Sequence, residues 1–143
     1  MDIAQLIAGR ASSDVLTCDV DMPMREALSI LARRRIGALP VMRGGTVAGI
    51  FSERDVIYRL ESDGEVCLGK PVGEVMTAPA ITVDPATSID EALGLMTRRR
   101  IRHLPVVQDG MMCGFISIGD LVKAQVDAIA TEAEAMRTYI QTA

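Results

Sequence analysis

The amino-acid sequence predicts an α+β fold built from two tandem βαββα repeats related by a pseudo-twofold axis. Three observations support this prediction: a gapless internal repeat, short apolar strands joined by glycine turns, and helices with apolar residues at helical spacing. We expect the sheets of the two repeats to pack against each other with the helices outside. A long C-terminal helix is expected to follow the second repeat.

The internal repeat appears when the chain is shifted against itself by 65 residues. Residues 17–56 then align with residues 82–121 without a gap, and 16 of these 40 positions are identical. Two copies of this length indicate two halves of one body, because a solenoid needs more and shorter repeats. The expected bounds are about 3–60 for repeat 1, about 61–70 for a linker, about 71–123 for repeat 2, and 124–141 for a helical extension.

Each repeat is expected to contain a short first strand, a helix, a strand hairpin and a second helix. Ser88 and Glu91 have the spacing of a capping box before the helix of the second repeat. The two hairpins turn at glycine-containing segments, and the polar segment 61–70 with its two glycines is interpreted as a linker. The strands are expected at residues 15–18, 38–42, 46–51, 80–83, 103–107 and 111–116.

The last helix is predicted to continue to about Ile140, well beyond the end of the repeat. Apolar residues along it alternate between steps of four and three residues, which is the spacing of a coiled-coil seam. This stripe favours a dimer contact, and packing back on its own domain is the alternative. The stripe consists of Val122, Val126, Ile129, Ala133, Met136 and Ile140.

Composition and charge exclude several classes of protein. The 143 residues include 49% apolar residues, which suffices for one folded domain, and the net charge of −4 disfavours nucleic-acid binding through the arginine triplets. No apolar run approaches the roughly 20 residues of a membrane span, and the N-terminus does not resemble a signal peptide. Three cysteines without a C-x-x-C motif and a single histidine predict neither disulfides nor a metal site. These features predict a cytoplasmic protein.

A Gly-x-x-Ser-x-x-Asp motif stands at the start of the second helix in each repeat. The motif runs from Gly49 to Asp55 and again from Gly114 to Asp120. One interpretation is an ordinary capping box. The other is a ribose-phosphate site, because a helix N-terminus favours phosphate and an Asp can accept hydrogen bonds from both ribose hydroxyls. The glycine would then leave room for the ligand to approach the backbone.

The order of elements, the Leu-Pro-Val strands and the Ser-x-x-Asp motifs resemble the repeat of the cystathionine-β-synthase (CBS) domain family. The resemblance covers Ile3 to about Lys123. It implies a CBS pair, or Bateman module, in which the Asp holds the ribose, the Ser lies near the phosphate, and adenine enters a cleft between the repeats. It also implies that two modules associate as a flat homodimer.

Transferring these roles position by position gives two candidate ligand sites. The first comprises Ser52, Glu53, Arg54, Asp55, Ile81, Arg102 and His103. The second comprises Ser117, Ile118, Gly119, Asp120, Leu16, Ile36, Gly37 and Ala38. The basic residues of the first site lead to the hypothesis that it prefers the more anionic ligand, and the second an AMP-like or smaller one.

The expected function is a regulatory sensor of an adenine nucleotide that acts on a separate, unidentified protein. AMP, ATP and NAD all remain open as ligands, since the Asp contacts only the ribose. An enzyme is not expected, because no nucleophile with an orienting base, no P-loop and no dinucleotide fingerprint is present. The alternative is a protein-interaction and dimerisation module that acts without a ligand.

Overall fold

Two small sheets and six α-helices make up residues 1–142, the part of the chain that the computed structural model describes. Strands β3 and β5, each at an edge of its sheet, lie in contact, so the two sheets meet between the repeats, as the sequence predicted. The strands are β1 (Cys18–Asp19), β2 (Ala38–Arg43), β3 (Thr46–Ser52), β4 (His103–Gln108) and β5 (Met111–Ser117). The helices are α1 (Ile3–Ile7), α2 (Met24–Arg34), α3 (Glu53–Asp63), α4 (Val72–Val75), α5 (Ile89–Arg99) and α6 (Ile118–Thr142).

The two repeats keep the same strand register. Ala38 pairs with Ser52 in the β2–β3 hairpin, and His103 pairs with Ser117 at the equivalent place in β4–β5. Both hairpins carry a register shift at the same repeat position, between Val41 and Met42 in the first copy and in the matching place of the second. The pseudo-symmetry that the repeated sequence predicted therefore extends to individual backbone pairs.

The first strand of each repeat is shorter than expected. In place of residues 15–18, the first repeat has only β1, which pairs in parallel with β2. In place of residues 80–83, the second repeat has a single parallel bridge between Val83 and Val106. The reason is that Thr77 is still bonded to Ile50 of the first repeat, so the crossing chain reaches the second sheet only at Val83.

The leading helices of the repeats are exchanged. Ile3 of α1 is buried in the core of the second repeat, beside Leu104 and Ile116. Val72 and Val75 of α4 are buried in the core of the first repeat. Backbone hydrogen bonds support both placements, with Ile3 N–H donating to the Thr87 carbonyl and Val72 N–H to the Met22 carbonyl. The sequence intervals 3–60 and 71–123 are therefore interleaved in space, because each repeat needs apolar cover from the other.

The segment 61–70, which the sequence predicts to be a linker between the repeats, is largely helical. Helix α3 continues to Asp63, and a 3₁₀ helix follows over Gly64–Gly69. Cys67 of this turn is fully buried in the first core. Burial of Cys67 anchors the segment to the first core, while its polar residues face solvent.

Helix α6 reaches Thr142, slightly beyond the predicted end. Only Leu121 and Ala124 near its start are buried. The apolar residues of the predicted seam are exposed, with Val126 at 58% and Ile129 at 64%. The alternative that the stripe packs back on its own domain is therefore wrong for this helix.

Candidate functional site

Two clefts lie between the repeats, and each contains the start of one motif helix. The first cleft has a volume of about 220 Å³ and includes the start of α3. The second cleft has a volume of about 500 Å³ and includes the start of α6. Small-molecule sites typically measure ~300–1,000 Å³, so the second cleft has the usual size and the first is smaller.

The first cleft brings together the complete set of residues predicted for it. The set combines the N-terminus of α3 with residues that the second repeat contributes from across the interface. Its members are Ser52, Glu53, Arg54, Asp55, Ile81, Arg102 and His103. Two further observations define its walls: Thr77 and Tyr58 also line the cleft, and the Arg54 guanidinium donates to the Arg100 carbonyl at 3.1 Å.

The second cleft brings together only part of its predicted set. The residues that line it are Ser117, Asp120, Leu16, Ile36 and Ala38. Ile118 packs against the second core and Gly119 lacks a side chain, so neither contributes to the wall. Gly37 lines the first cleft, where a Cβ atom at this position would lie 3.3 Å from His103 Cε1.

Both motif aspartates use one carboxylate oxygen to cap their helix. Asp55 Oδ2 accepts hydrogen bonds from Ser52 N–H at 2.8 Å and Ser52 Oγ–H at 3.1 Å. Asp120 Oδ2 accepts from Ser117 N–H at 2.9 Å. Each aspartate thus performs the capping role, and its Oδ1 atom faces other partners.

The partners of the second carboxylate oxygen differ between the clefts. Asp55 Oδ1 accepts a hydrogen bond from Thr77 Oγ1 at 2.8 Å. Asp120 Oδ1 lies 3.4 Å from Arg10 Nη2, and both side chains are partly exposed. A ligand hydroxyl that binds Asp120 must therefore share or replace the guanidinium, whereas one that binds Asp55 competes with a neutral hydroxyl.

Arg10 and Thr77 are cleft residues that sequence reasoning missed. Both precede their repeat's first strand, outside the motifs, and reach the clefts because the leading segments cross between repeats. Thr77 lies 65 residues after Ser12, so the internal repeat aligns two hydroxyl residues. This alignment is the sequence signal that could have identified Thr77. Arg10 has Val75 as its counterpart, so the repeat itself carries no signal for it.

His103 lines both clefts. Its ring stacks on Phe115 with the ring centres 5.5 Å apart and the planes inclined by 14°. Burial is the main cause that lowers the pKa of His103 below its usual value, and the neighbouring Arg102 lowers it further, while Asp120 and Glu53 act in the opposite direction. The lowered pKa favours the neutral form of His103, in which the ring offers one donor and one acceptor nitrogen.

Gly49 and Gly114 serve different purposes. A Cβ atom on Gly49 would lie 2.6 Å from the Thr77 carbonyl oxygen, so this glycine accommodates the crossing chain and leaves no room for a ligand there. Gly114 does line the second cleft, where a Cβ atom would lie 3.2 Å from Ile7 Cδ1 and 3.4 Å from Ile7 Cγ2, both side-chain atoms. The expectation that the motif glycine admits a ligand is therefore wrong for Gly49.

The charges of the two clefts also differ. In the first cleft, two arginines face two carboxylates, so the lining charges balance when His103 is neutral. In the second cleft, Arg10 is the single arginine or lysine among the described lining residues, and it faces Asp14 and Asp120. The lining of the first cleft is thus the less acidic of the two, whereas the second cleft is the larger.

Within residues 1–142, no group of three or more His, Cys, Asp or Glu side chains is arranged to hold a metal ion. Nor does any helix in that range combine the length and hydrophobicity required to span a bilayer. All three cysteines are free thiols, and Cys18 and Cys67 are buried.

Comparison with known proteins agrees with this architecture. The family model for the CBS domain matches residues 4–62 and 72–127. The CBS domain-containing protein CBSX3 of Arabidopsis thaliana, named as mitochondrial, is 35% identical over 98% of this chain and 70% of the relative. Inosine-5′-monophosphate dehydrogenase of Mycobacterium leprae is 39% identical over 84% of this chain, but that match spans only 22% of the dehydrogenase.

Solved structures give the same result. A CBS-domain protein from Agrobacterium tumefaciens superposes with a TM-score of 0.80 at 34% identity, covering 87% of this chain and 99% of that one. The structure of CBSX2 in complex with AMP superposes with a TM-score of 0.75 at 25% identity, covering 89% and 97%. With two matched repeats and a shared fold, this chain belongs to the CBS-domain family.

Proposed function

We propose that this chain is a regulatory module that binds an adenine nucleotide in the clefts between its repeats and acts on a separate protein. The observation that carries the proposal is that each cleft joins a Ser-x-x-Asp helix start to a wall from the other repeat. A ligand held in this way contacts both repeats. Its affinity therefore depends on how the repeats are arranged, which is the condition for a ligand to shift a conformational equilibrium.

The lining of the second cleft supports a nucleotide as the ligand. Ser117 and Asp120 stand at the start of a 25-residue helix, where free N–H groups and the helix dipole favour a phosphate. Leu16 and Ile36 supply apolar surface for a base. CBSX2, which is related at 25% identity, has been crystallised with AMP, and the 500 Å³ volume accommodates a ligand of that size.

We propose AMP as the first ligand to test, in the second cleft, with ATP and NAD as competitors. Isothermal titration of the nucleotide-stripped protein should compare the wild type with Asp55→Asn and Asp120→Asn. We expect Asp120→Asn to weaken AMP binding at the second cleft by at least roughly ten-fold, because hydrogen bonds to a charged group contribute ~1.5–3 kcal/mol. Asp55→Asn should affect only the first cleft.

Matched controls separate a lost ligand contact from a weakened helix. Asp127 and Asp63 lie on the same helices as the motif aspartates and away from the clefts, so Asp127→Asn and Asp63→Asn should bind as the wild type does. Thermal unfolding of every variant tests the fold, and a ligand at ~100 times its Kd should stabilise the wild type by about 2.7 kcal/mol. Absence of binding and of stabilisation by AMP, ATP and NAD would reject the nucleotide sensor.

One observation favours the alternative of a protein-interaction module without a ligand. Asp55 already accepts hydrogen bonds on both carboxylate oxygens, from Ser52 and from Thr77. Asp55 therefore needs no ligand to complete its hydrogen bonds, and the 220 Å³ volume of the first cleft is small for a nucleotide. If the alternative holds, a folded wild type should capture its partner equally well with and without added nucleotide.

The remaining features of the proposal concern setting and assembly. We expect no catalytic activity from this chain, a reducing compartment such as the cytoplasm, and a homodimer as the working form. The free thiols support the reducing compartment, because a disulfide framework is absent among residues 1–142. Fractionation of cells that express the tagged full chain tests the compartment directly.

A further inference from the structure

Helix α6 exposes a narrow apolar stripe along the part that extends beyond the second repeat. Leu121 and Ala124 face the module and are buried, whereas the stripe residues face solvent. Their exposed fractions are 49% for Val122, 58% for Val126, 64% for Ile129, 57% for Met136 and 66% for Ile140. A contiguous apolar surface of this length on a folded protein marks a site of interaction.

The spacing of the stripe identifies the geometry of its partner. Val122, Ile129 and Met136 occupy the d positions of a heptad, and Val126, Ala133 and Ile140 occupy the a positions. A helix that packs on a globular surface usually carries a wider apolar face. An apolar seam at a and d over almost three heptads, joined at the flanks only by Ala130 at e and Tyr139 at g, is typical of a helix that pairs with another helix as a coiled coil.

We propose that the stripe pairs with the same stripe of a second copy in a parallel, in-register coiled coil. The charges beside the seam support both the occupant and the orientation. Glu132 lies at a g position and Arg137 at the e position of the following heptad. In a parallel pair these positions face each other across the interface, so Arg137, which pairs with Glu134 at 3.1 Å in its own helix, lies beside Glu132 of the second copy as well, and the proposed dimer has two symmetry-related ion pairs.

The antiparallel arrangement is disfavoured by the same residues. When the two stripes overlap fully in opposite directions, e positions face e positions and g positions face g positions. Lys123 would then lie beside Arg137 of the second copy, and Glu132 beside Glu132 of the second copy. Both contacts join like charges, which is unfavourable at a coiled-coil flank.

A membrane surface is the other candidate for covering an exposed apolar stripe. Helices that lie on membranes typically carry a polar face rich in lysine and arginine. The polar side of this helix has an acidic excess, with Asp127, Glu132 and Glu134 against Lys123 and Arg137. The observations therefore favour a second copy of the chain, independently of whether the clefts bind nucleotide.

Light scattering of the full chain tests the occupant. We expect twice the chain mass for the wild type, the chain mass for Ile129→Lys, and twice the chain mass for the control Thr131→Lys, which lies two residues away outside the seam. Both substituted positions are on exposed helix surface, so the module should stay folded. A monomeric wild type, or an Ile129→Lys variant that remains dimeric, would overturn the proposal.

Two further variants test the orientation. Mild oxidation of Ile129→Cys should yield a covalent dimer, because equivalent d positions meet only in a parallel pair. The wild type, with Cys18 and Cys67 buried, reports the background from native thiols. Cross-linking only when Ile129→Cys is mixed with Ala133→Cys would indicate antiparallel helices and refute the orientation.

Charge exchange provides an independent readout. Glu132→Arg and Arg137→Glu should each weaken the dimer, and the double variant should restore it, because the ion pair is re-formed with its signs reversed.

Vesicles of phosphatidylcholine with phosphatidylglycerol should not bind the wild type. Binding that Ile129→Lys abolishes, from a protein that is monomeric in solution, would assign the stripe to a membrane and contradict the proposal.

Discussion

Arg10 Nη2 lies 3.4 Å from Asp120 Oδ1 in the second cleft, where the first cleft has Thr77 Oγ1 at 2.8 Å from Asp55 Oδ1. Two repeats with the same motif thus place a cation on one aspartate and a neutral hydroxyl on the other. The Arg10 and Asp120 side chains are 47% and 30% exposed, so their ion pair contributes little to stability. The ion pair matters instead for ligand binding, because a ligand hydroxyl must share or replace the Arg10 guanidinium to bind Asp120.

Arg10→Ala should weaken AMP at the second cleft by roughly ten-fold, because it removes the single arginine or lysine among the described lining residues. Adenosine, which has no phosphate, should bind the variant at least as well as the wild type, since Asp120 is then released from its partner. Titration with both ligands in an Asp55→Asn background measures the second cleft alone. Equal losses for AMP and adenosine would show that Arg10 does not act on the phosphate.

Gly49→Ala should destabilise the protein by about 1–3 kcal/mol through overpacking. Its Cβ atom would lie 2.6 Å from the Thr77 carbonyl oxygen and 2.7 Å from Met76 Sδ, and the backbone oxygen cannot move freely. Gly114→Ala is the matched control at the equivalent position, where only Ile7 must adjust by a few tenths of an ångström. Urea unfolding of both variants should give the larger loss for Gly49→Ala; equal losses would contradict the packing argument.

Stability should fall as the pH drops below about 6.5. Burial lowers the pKa of His103 in the folded chain. At pH values below the ordinary histidine pKa, the unfolded chain therefore binds more protons than the folded chain. The contribution of neutral His103 is complete above about pH 6.5 and is lost as the pH falls towards the lowered folded pKa. His103 is the single histidine, so urea unfolding of the wild type and His103→Gln between pH 7.5 and 5.5 isolates its effect. Identical pH slopes would refute it.

Cys113 should be the first thiol to react with a maleimide. It is half-buried in the wall of the second cleft, whereas Cys18 and Cys67 are buried. Burial, assisted by the charge of Asp19, also raises the pKa of Cys18 to about 11, which suppresses its reactive thiolate. Mass spectrometry of the labelled peptides should show that AMP protects Cys113 in the wild type but not in Asp120→Asn. Faster labelling of Cys18 would contradict the burial seen here.

The motif helices illustrate what can be predicted locally. Ser52 and Asp55 are three residues apart, so the capping box that joins them follows from helix geometry alone. The 65-residue repeat then requires Ser117 and Asp120 to have the same arrangement, as they do. Local spacing and internal repetition therefore sufficed to place the polar end of each cleft.

The opposite walls of the clefts depend on contacts between residues far apart in the chain. Thr77 lies 22 residues from Asp55, and Arg10 lies 110 residues from Asp120. Neither approach follows from periodicity, because both arise where the leading segments cross to the other repeat. For the same reason the ordered, helical form of the linker 61–70 does not follow from its polar composition, since the burial of Cys67 is visible only in the assembled core.

The sequence by itself determined the repeat, the order of its elements, the capped starts of α3 and α6 and the length of the last helix. These features depend on backbone propensity, capping and hydrophobic spacing, which act within a few residues of one another. Only the tertiary structure decided the exchange of α1 and α4, the position of His103 between both clefts and the different partners of Asp55 and Asp120. These three features depend on which apolar surfaces of one repeat are covered by the other, and the packing of the two repeats together determines that.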